Sequence, residues 1–552
     1  MRISSKIEFI ELHDGNYGGA SATLIDSNYM RIESQQLPRR TSVAVLCGAL
    51  LMLFFPAYAT PAEVTVELQD DAPDHVHIAD APFDIRIKVD YSGPGIVKFH
   101  WQDFSGKPVT SPRPLETGRL VSITAPSGHT GYLGLVLAPA TAEITLPNRQ
   151  PGEAREYGLA VLPQEASTRL VDTQSRFGMV HADLQDPYLR GWIKTMTWKT
   201  TSSKWWGDEM EKRRSLGLQE LPVVVGDEWK TDDNSPVTSE QLGQLHSRVR
   251  RYFAAHPATE YWETGIEENL RHRYQTPYYW ENLSAKARAV RDAADDVNPN
   301  IQLIYQIAEL RPEDAKRFLQ SEATDYYAIL SLHPYAWPDF PDPEEWLEEY
   351  LESINRLIKD SRSSMSVWLT EVGVPHHGNY PGEFFGYPEK GARVTGKTHY
   401  EAVLYLIKIH VMAFHLGVEK IFWYNYKDRN PQREYAENHF GLRDYWGFPK
   451  PVYVAYLNLQ KYLDAKQPGQ ARRVASDNVR AYDFHGQDES VTVVWSYPGR
   501  DQMVSIDTLF PEYRPDAIID ILDPMGAPVA YAGTAIPVSK EPIFIIYKSK
   551  HH

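Results

Sequence analysis

The chain has only one cysteine among its 552 residues, Cys47. An intramolecular disulfide needs two cysteines, and the common thiolate zinc sites need at least as many. The sequence therefore excludes both. Cys47 also lies in an apolar run that we interpret as part of an export signal, so the exported protein would hold no cysteine. Export without disulfides is more typical of a bacterial periplasm or exterior than of a eukaryotic secretory route.

Basic blocks are missing from this acidic chain. Asp and Glu number 73 against 57 Lys and Arg, which gives a net charge of −16. Nucleic-acid binding depends on clustered Lys and Arg that contact phosphates, so we expect no nucleic-acid partner. Aromatic residues are plentiful, with 14 Trp, 33 Tyr and 19 Phe. Such side chains build cores, and they also suit wet grooves in which sugar rings stack.

The apolar run near the N-terminus is short. It covers residues 43–55, whereas a helix that spans a bilayer needs about 20 apolar residues. Arg39 and Arg40 precede it and Ala-Tyr-Ala at 57–59 follows, which is the order of a secretory signal peptide. We therefore interpret residues 1–59 as an N-terminal extension and a signal peptide at about 38–59. The expectation is a secreted or periplasmic protein with no stable membrane anchor.

Short strand-like runs dominate both ends of the exported chain. Residues 62–168 hold β-rich runs separated by Gly, Pro, Asp and Ser, which predicts an N-terminal β-sandwich. Strand-like runs return at 470–549 and predict a C-terminal β-domain. Neither segment carries an evident chemical motif.

Residues 175–465 have a different texture, in which strand-like runs alternate with amphipathic helices. The eight runs are residues 177–181, 192–198, 221–225, 260–264, 301–307, 326–332, 366–370 and 420–424. Asp342, followed by proline and two glutamates, predicts a helix start with an N-cap and a capping box. Eight such units predict an α/β fold, a (β/α)8 TIM barrel. A doubly wound open sheet is the alternative, but no Gly-x-Gly-x-x-Gly follows the first strand.

Carboxylates lie at the ends of two predicted barrel strands, where such barrels carry their active sites. Glu263, Glu267 and Glu268 end the fourth strand, and Glu371 directly follows the apolar seventh strand. Two carboxyl groups that face each other across the barrel mouth suit cleavage of a glycosidic bond. Solvated loop carboxylates are the alternative. The setting of Glu371 favours chemistry, because an unpaired carboxylate beside an apolar strand is costly.

At the seventh strand the sequence resembles clan A retaining glycoside hydrolases. It is most similar to glycoside hydrolase family 39 and related exopolysaccharide glycosidases. The segment 368–373, Trp-Leu-Thr-Glu-Val-Gly, resembles the nucleophile motif of the clan. The resemblance implies a TIM barrel and makes Glu371 the nucleophile.

The fourth strand carries the second motif. Residues 263–269, Glu-Thr-Gly-Ile-Glu-Glu-Asn, are similar to the clan motif Glu-Leu-Gly-Asn-Glu-Pro-Asn, which implies Glu267 as the acid/base. Two residues depart from the motif, because Ile266 replaces Asn and Glu268 replaces Pro. The Asn of the clan usually binds the sugar 2-hydroxyl, which isoleucine cannot do. Either that contact is missing, or the register shifts by one and Glu268 is the acid; Glu267 is the favoured choice.

The resemblance also implies residues that bind the substrate. His333 and Tyr335 resemble a sixth-strand pair that contacts the nucleophile, and Trp423 resembles an eighth-strand tryptophan that forms the floor of the sugar subsite. A core histidine and barrel packing are the alternatives for His333 and Trp423. Further candidates for substrate contact at strand ends are Glu263, Glu268, Trp198 and Trp229.

The expected function is a secreted retaining glycosidase that acts by double displacement on a polysaccharide or oligosaccharide. Endo-action on a neutral or weakly charged bacterial exopolysaccharide is the favoured form. No cofactor or metal is expected, because the adjacent His376 and His377 have no accompanying ligand set. Two alternatives stay open: an inactive carbohydrate-binding protein on a glycosidase barrel, and a transglycosidase. The sequence predicts no oligomeric state.

Overall fold

The computed structural model describes most of the chain after residue 61. The described ranges are 62–78, 83–91, 97–142, 144–147, 149, 152–163, 175–182, 186–196, 211–224, 233–271, 276–378, 384–387, 392–432, 435–474, 478–510, 517–531 and 533–549. The predicted signal peptide and the candidate residues Trp198 and Trp229 lie outside these ranges. None of the described helices is long and apolar enough to cross a bilayer.

Two main sheets form the N-terminal part, and their strands pair in antiparallel fashion except for the parallel pair of β3 and β10. The strands are β1 Ala62–Glu63, β2 Thr65–Gln69, β3 Val76–Ile78, β4 Asp84–Asp90, β5 Val97–Gln102, β6 Arg113–Leu115, β7 Leu120–Thr124, β8 Gly131–Pro139, β9 Ile144–Thr145 and β10 Arg155–Leu162. One sheet has the order β3-β10-β8-β5-β6 and the other β2-β4-β7. Ile85 and Ile87 of β4 share a core with Trp101 of β5 and Leu135 of β8. This arrangement confirms the predicted β-sandwich.

Eight parallel strands close into a barrel, which confirms the predicted TIM fold. They are β11 Phe177–Val180, β12 Trp192–Met196, β13 Gln219–Val224, β14 Tyr261–Thr264, β15 Gln302–Ala308, β16 Ile329–His333, β17 Ser366–Val372 and β20 Val418–Trp423. Strand β20 pairs with β11 to complete the ring. A hairpin, β18 Phe384–Tyr387 and β19 Ala392–Thr395, lies between β17 and β20 in the chain.

Helices lie between the barrel strands in the chain, and one more follows the last strand. They are α1 Ser239–Ala255, α2 Tyr279–Asp295, α3 Pro312–Leu319, α4 Leu347–Asp360, α5 His399–His415 and α6 Pro451–Leu463. Capping boxes begin α1 at Thr238 and α5 at Thr398. The predicted cap at Asp342 is wrong, because its side chain caps no helix and only a short 3-10 turn, Pro343–Glu345, follows it. Helix α4 begins after that turn and buries one apolar face.

The C-terminal part is a third β-structure. Its strands are β21 Gln467–Val474, β22 Val479–His485, β23 Glu489–Ser496, β24 Gln502–Ser505, β25 Ile518–Leu522, β26 Ala535–Val538 and β27 Ile543–Lys548, with a short helix α7 Ile506–Leu509. The main sheet has the order β21-β22-β23-β27-β25. Phe484 and Trp495 on one face of that sheet join the core of the barrel. The predicted C-terminal β-domain is thus confirmed.

The interior of the barrel is built in layers, because alternate residues of each strand point inward. The lower layer is aromatic: Trp192, Tyr261 and Trp368 contact one another with ring centroids 5.0 to 5.9 Å apart. Two residues further along the same strands, the inward side chains become polar or charged. This upper layer contains Lys194, Glu263 and Thr370, so the sequence changes from apolar to charged on approaching the carboxyl ends of the strands.

Candidate active site

Glu371 lies near the end of β17, at a break in the strand pairing. Leu369 pairs with Ile421 of β20, but the next pair joins Val372 to Trp423, so β17 has one extra residue there. Such a bulge interrupts the inward–outward alternation. As a result, the consecutive side chains of Thr370 and Glu371 both reach the cluster inside the barrel. The Glu371 side chain is 7% exposed.

Glu267 lies on the turn that follows β14. The turn needs positive φ angles at Gly265 and at Glu267 itself, where φ is 45°. Gln306 of β15 holds the turn from inside, because its Nε2 donates to the Gly265 carbonyl at 2.7 Å and its Oε1 accepts from the Glu267 N–H at 3.2 Å. These two hydrogen bonds fix a backbone conformation that a non-glycine residue rarely adopts. The Glu267 side chain is 30% exposed, much more than that of Glu371.

His333 connects the two glutamates. Its Nδ1 lies 3.0 Å from Glu267 Oε1 and 3.9 Å from Glu371 Oε2, and its Nε2 lies 3.0 Å from Thr370 Oγ1. The ring is fully buried. One ligand-type atom each from Glu267, His333 and Glu371 lies within 4.8 Å of the others. The structure therefore brings together three residues that the sequence predicted.

The same three side chains have the donor set of a divalent cation site. However, Lys194 Nζ lies 3.1 Å from Glu371 and 3.2 Å from His333 Nε2. A cation held by these atoms would lie close to the lysine ammonium, which disfavours it by charge repulsion. The charge of Lys194 therefore makes these three side chains a poor site for a cation.

Tyr335 follows β16, and its hydroxyl donates a hydrogen bond to Glu371 Oε2 at 3.4 Å. Burial, and next the charge of Glu371, raises the pKa of Tyr335 well above its usual value of 10. The phenol therefore stays protonated at neutral pH and remains a hydrogen-bond donor. It is placed to stabilise the carboxylate form of Glu371, the residue that the resemblance implied it would contact.

Lys194 of β12 was missed by the sequence reasoning, although it is central to the cluster. Its fully buried Nζ lies 2.7 Å from Glu263 Oε2 and 3.1 Å from Glu371 Oε1. Burial acts to lower the pKa of Lys194, but the charges of Glu263 and Glu371 outweigh it and raise the pKa overall. The available signal was a lysine inside an apolar strand, since lysine is almost never fully buried unless it is paired.

Glu263 does not reach the mouth of the barrel. Its side chain is fully buried in the upper interior layer, where Thr370 Oγ1 donates to it at 2.6 Å. Burial acts to raise the pKa of Glu263, but the charge of Lys194, helped by His333, outweighs it and lowers the pKa below 4.5. The prediction that Glu263 contacts the substrate is therefore corrected: it lies one layer below Glu267 and contacts the site from beneath.

Glu268 points elsewhere. Its Oε2 accepts a hydrogen bond from Tyr279 at the start of α2 at 3.2 Å, and the residue is buried. The following Asn269 is fixed by the backbone of Ala308. Of the two candidates left open by the sequence, the structure brings Glu267 to Glu371 and places Glu268 in the layer between the strands and α2. The predicted substrate contact of Glu268 is not supported.

The structure also does not support the prediction that Trp423 forms the floor of the sugar subsite. It has no exposed surface and lies against His410 of α5, with ring centroids 6.2 Å apart. Its neighbour Phe422 instead points inward and stacks on Trp368. Because side chains alternate along β20, Trp423 faces the helix layer rather than the mouth. The next inward position belongs to Tyr424, which lies edge-on to Tyr335.

Tyr424 belongs to a charged group at the rim. Its hydroxyl donates to Glu437 Oε2 at 2.9 Å, and Arg429 Nη1 lies 3.7 Å from the same oxygen. Burial and the charge of Glu437 raise the pKa of Tyr424 well above 10. Burial acts to lower the pKa of Arg429, but its acidic neighbours, Glu371 among them, raise it overall. Through Tyr424, this group contacts Tyr335 at the rim of the site.

Comparisons with known proteins identify the fold. No protein-family model and no curated protein matches the chain. Among solved structures, it is similar to a family 39 glycoside hydrolase from the gut symbiont Bacteroides cellulosilyticus WH2, with a TM-score of 0.62 and 16% identity over 88% of this chain and 100% of that one. A GH30 endoxylanase from Clostridium papyrosolvens C71 gives a TM-score of 0.46 and 11% identity over 69% of this chain and 98% of that one, too low to carry an argument. The predicted resemblance to glycoside hydrolase family 39 of clan A is thus confirmed at the level of the fold.

Proposed function

We propose that this protein is a retaining glycoside hydrolase in which Glu371 is the nucleophile and Glu267 is the acid/base. The observation that carries the proposal is the close approach of two carboxyl groups, within 4.8 Å of each other at their nearest ligand atoms, at the mouth of a TIM barrel. Retaining enzymes need roughly 5–5.5 Å between these groups, whereas inverting enzymes need roughly 6.5–9.5 Å to admit a water molecule. The spacing here suits direct attack by a carboxylate.

In the first step the Glu371 carboxylate attacks the anomeric carbon of the sugar. The bond from that carbon to the leaving oxygen breaks, and Glu267 gives its proton to the leaving oxygen. A covalent glycosyl ester with Glu371 results. Lys194 and the Tyr335 hydroxyl hold the Glu371 carboxylate in its ionised, attacking form before this step.

In the second step Glu267, now a carboxylate, takes a proton from water. The water oxygen attacks the anomeric carbon, the ester bond breaks, and Glu371 leaves as a carboxylate. Two inversions leave the configuration unchanged. The exposures fit these roles, because the leaving group and the water come from the solvent side, where Glu267 is the more exposed of the two.

The proposed substrate is a carbohydrate, a polysaccharide or oligosaccharide, and the favoured form is endo-action on an exported bacterial exopolysaccharide. Support comes from the sequence: the signal-peptide pattern before residue 60 and the abundance of aromatic residues. Trp337 contacts Tyr335 and so provides an aromatic side chain close to the site.

A second candidate function is carbohydrate binding without turnover. Ile266 favours it, because its side chain cannot make the polar contact that Asn makes with a sugar hydroxyl in the clan. The intact cluster of Glu267, His333 and Glu371 argues against it, since a binding protein has no need to hold two carboxylates this close. Transfer to a second sugar instead of water uses the same first step and is separated by product analysis.

The proposal is tested with the purified full chain on a panel of bacterial exopolysaccharides and β-linked glycans. Wild type should release new reducing ends, and Glu371→Gln should lose about 10⁴-fold or more of the rate while staying folded. Glu344→Gln, a buried glutamate behind the barrel, is the matched control and should retain the rate. NMR of the first-formed sugar should show the anomeric configuration of the substrate.

Two results would contradict the proposal. A first product with inverted configuration would rule out double displacement. Glycan retained in a pull-down by both wild type and Glu371→Gln, without any release of reducing ends, would favour the binding protein.

A further inference from the structure

Among the residues that the structure describes, the interior of the barrel holds more carboxylate groups than ammonium groups. Glu263 and Glu371 both lie within 3.1 Å of the single Nζ of Lys194, and Glu267 approaches Glu371 from above. Glu263 lies in the upper interior layer and contacts no solvent. One buried ammonium therefore serves two carboxylates, of which only Glu371 is placed to react.

We infer that Lys194 and Glu263 are positioning residues that together set the pH range in which Glu371 is ionised. Lys194 attracts the negative charge of Glu371, while Glu263 competes for the same ammonium and repels Glu371 as a like charge. The inference rests on the proposed function for its catalytic consequence. Its electrostatic part stands on the geometry of the three side chains alone.

Other charged and titratable groups also face Glu371. Among the described residues these are His333 of β16 at 3.9 Å, Tyr335 at 3.4 Å, and Glu267 on the turn after β14. Tyr424 and Arg429 at the rim act on it electrostatically. Lys194 Nζ also contacts His333 Nε2 and Thr370 Oγ1, so Lys194→Met removes these two contacts together with the charge.

Opposite effects follow for the two positions. Lys194→Met removes the ammonium but keeps the length of the side chain, so Glu371 stays protonated up to a higher pH. Glu263→Gln removes the competing charge but keeps the shape and an acceptor for Thr370, so Glu371 ionises at a lower pH. Loss of packing at either position would lower activity without moving the pH profile in opposite directions.

The first measurement is the pH–rate profile of the full-length variants on a glycan cleaved by wild type. The acidic limb should move to higher pH in Lys194→Met and to lower pH in Glu263→Gln, each by roughly one pH unit, which is about tenfold in rate on that limb. Lys408→Met and Glu344→Gln are matched controls, because they alter a buried pair with the same 2.7 Å separation away from the site. The acidic limbs of these two controls should lie at the same pH as the acidic limb of wild type.

A second measurement does not depend on turnover. Carboxyl-13C NMR of glutamate-labelled protein follows the protonation of Glu371, whose resonance is identified by its loss in Glu371→Gln. The resonance should titrate at higher pH in Lys194→Met and at lower pH in Glu263→Gln than in wild type. If Lys194→Met does not fold, Glu263→Gln alone still tests the sign.

The outcomes separate the inference from the proposed function. Opposite shifts of the NMR titration without turnover by wild type would support the inference and overturn the glycosidase. Turnover by wild type, with both variants unshifted or shifted in the same direction, would overturn the inference and leave the glycosidase intact.

Discussion

Two buried lysine–glutamate pairs in this protein have the same separation but different surroundings. Lys194 and Glu263 lie 2.7 Å apart inside the barrel, and Lys408 and Glu344 lie 2.7 Å apart where α5 meets the turn before α4. Behind the barrel, the indole N–H of Trp495 in the C-terminal sheet also donates to Glu344. Inside the barrel, a second carboxylate, Glu371, joins the pair.

The difference teaches how a structural ion pair is distinguished from a functional one. A pair with matched charges can be buried because each ion satisfies the other. A surplus carboxylate beside such a pair is costly unless something requires it. Here the surplus charge lies at the carboxyl end of β17, beside Glu267, and this is where the proposed mechanism requires a nucleophile.

The largest effect that we expect comes from replacing either lysine of the two pairs. Lys194→Met and Lys408→Met should each lower the free energy of unfolding by about 3–5 kcal/mol, because each leaves a buried carboxylate unpaired. Urea unfolding measures this loss. Only Lys194→Met should also lower the glycosidase rate near the acidic limb, by about tenfold. Equal loss of activity in both variants would mean that the interior pair is merely structural.

The next effect concerns the pH dependence of stability. The pKa of Glu263 is lowered in the folded protein, so its charge contributes stability above pH 4.5, and that contribution is lost as the pH falls below this value. The melting temperature of wild type should therefore exceed that of Glu263→Gln most at neutral pH. The difference should shrink as the pH falls below 4.5. A difference that grows on acidification would contradict the lowered pKa.

The smallest effect separates two neighbouring aromatic residues at the end of β20. Trp423→Phe should cost about 1–3 kcal/mol of stability through lost packing on His410 and leave KM unchanged. Tyr424→Phe should leave stability within about 1 kcal/mol and alter KM or kcat, because it removes the hydrogen bond to Glu437 at the mouth. Unfolding curves and steady-state kinetics measure both. The reverse pattern would restore Trp423 to the sugar subsite.

The fold could be predicted because the signal is repeated. Eight alternations of strand and helix identify the barrel even where single boundaries are wrong, as at Asp342. That cap failed for a tertiary reason: Glu344, two residues later, is taken into the buried pair with Lys408, so the chain makes only one 3-10 turn before α4 begins.

The site could be predicted only where a motif is local. Glu267 and Glu371 each lie in a short segment that resembles a family motif, and the structure brings them together. Lys194 has no such segment, and its role depends on strands that meet only in the closed barrel. Tyr424 rather than Trp423 faces the mouth because of which residues of β20 point inward, and residue types alone do not fix this.

The most direct test of the two-glutamate account is chemical rescue of Glu267→Ala with azide. Without an acid/base, the glycosyl ester on Glu371 should persist, and a substrate with a good leaving group should form it readily. Azide needs no base, so it should restore the rate and give a glycosyl azide with the configuration of the substrate. Rescue of Glu268→Ala instead, or an azide product with inverted configuration, would contradict the account.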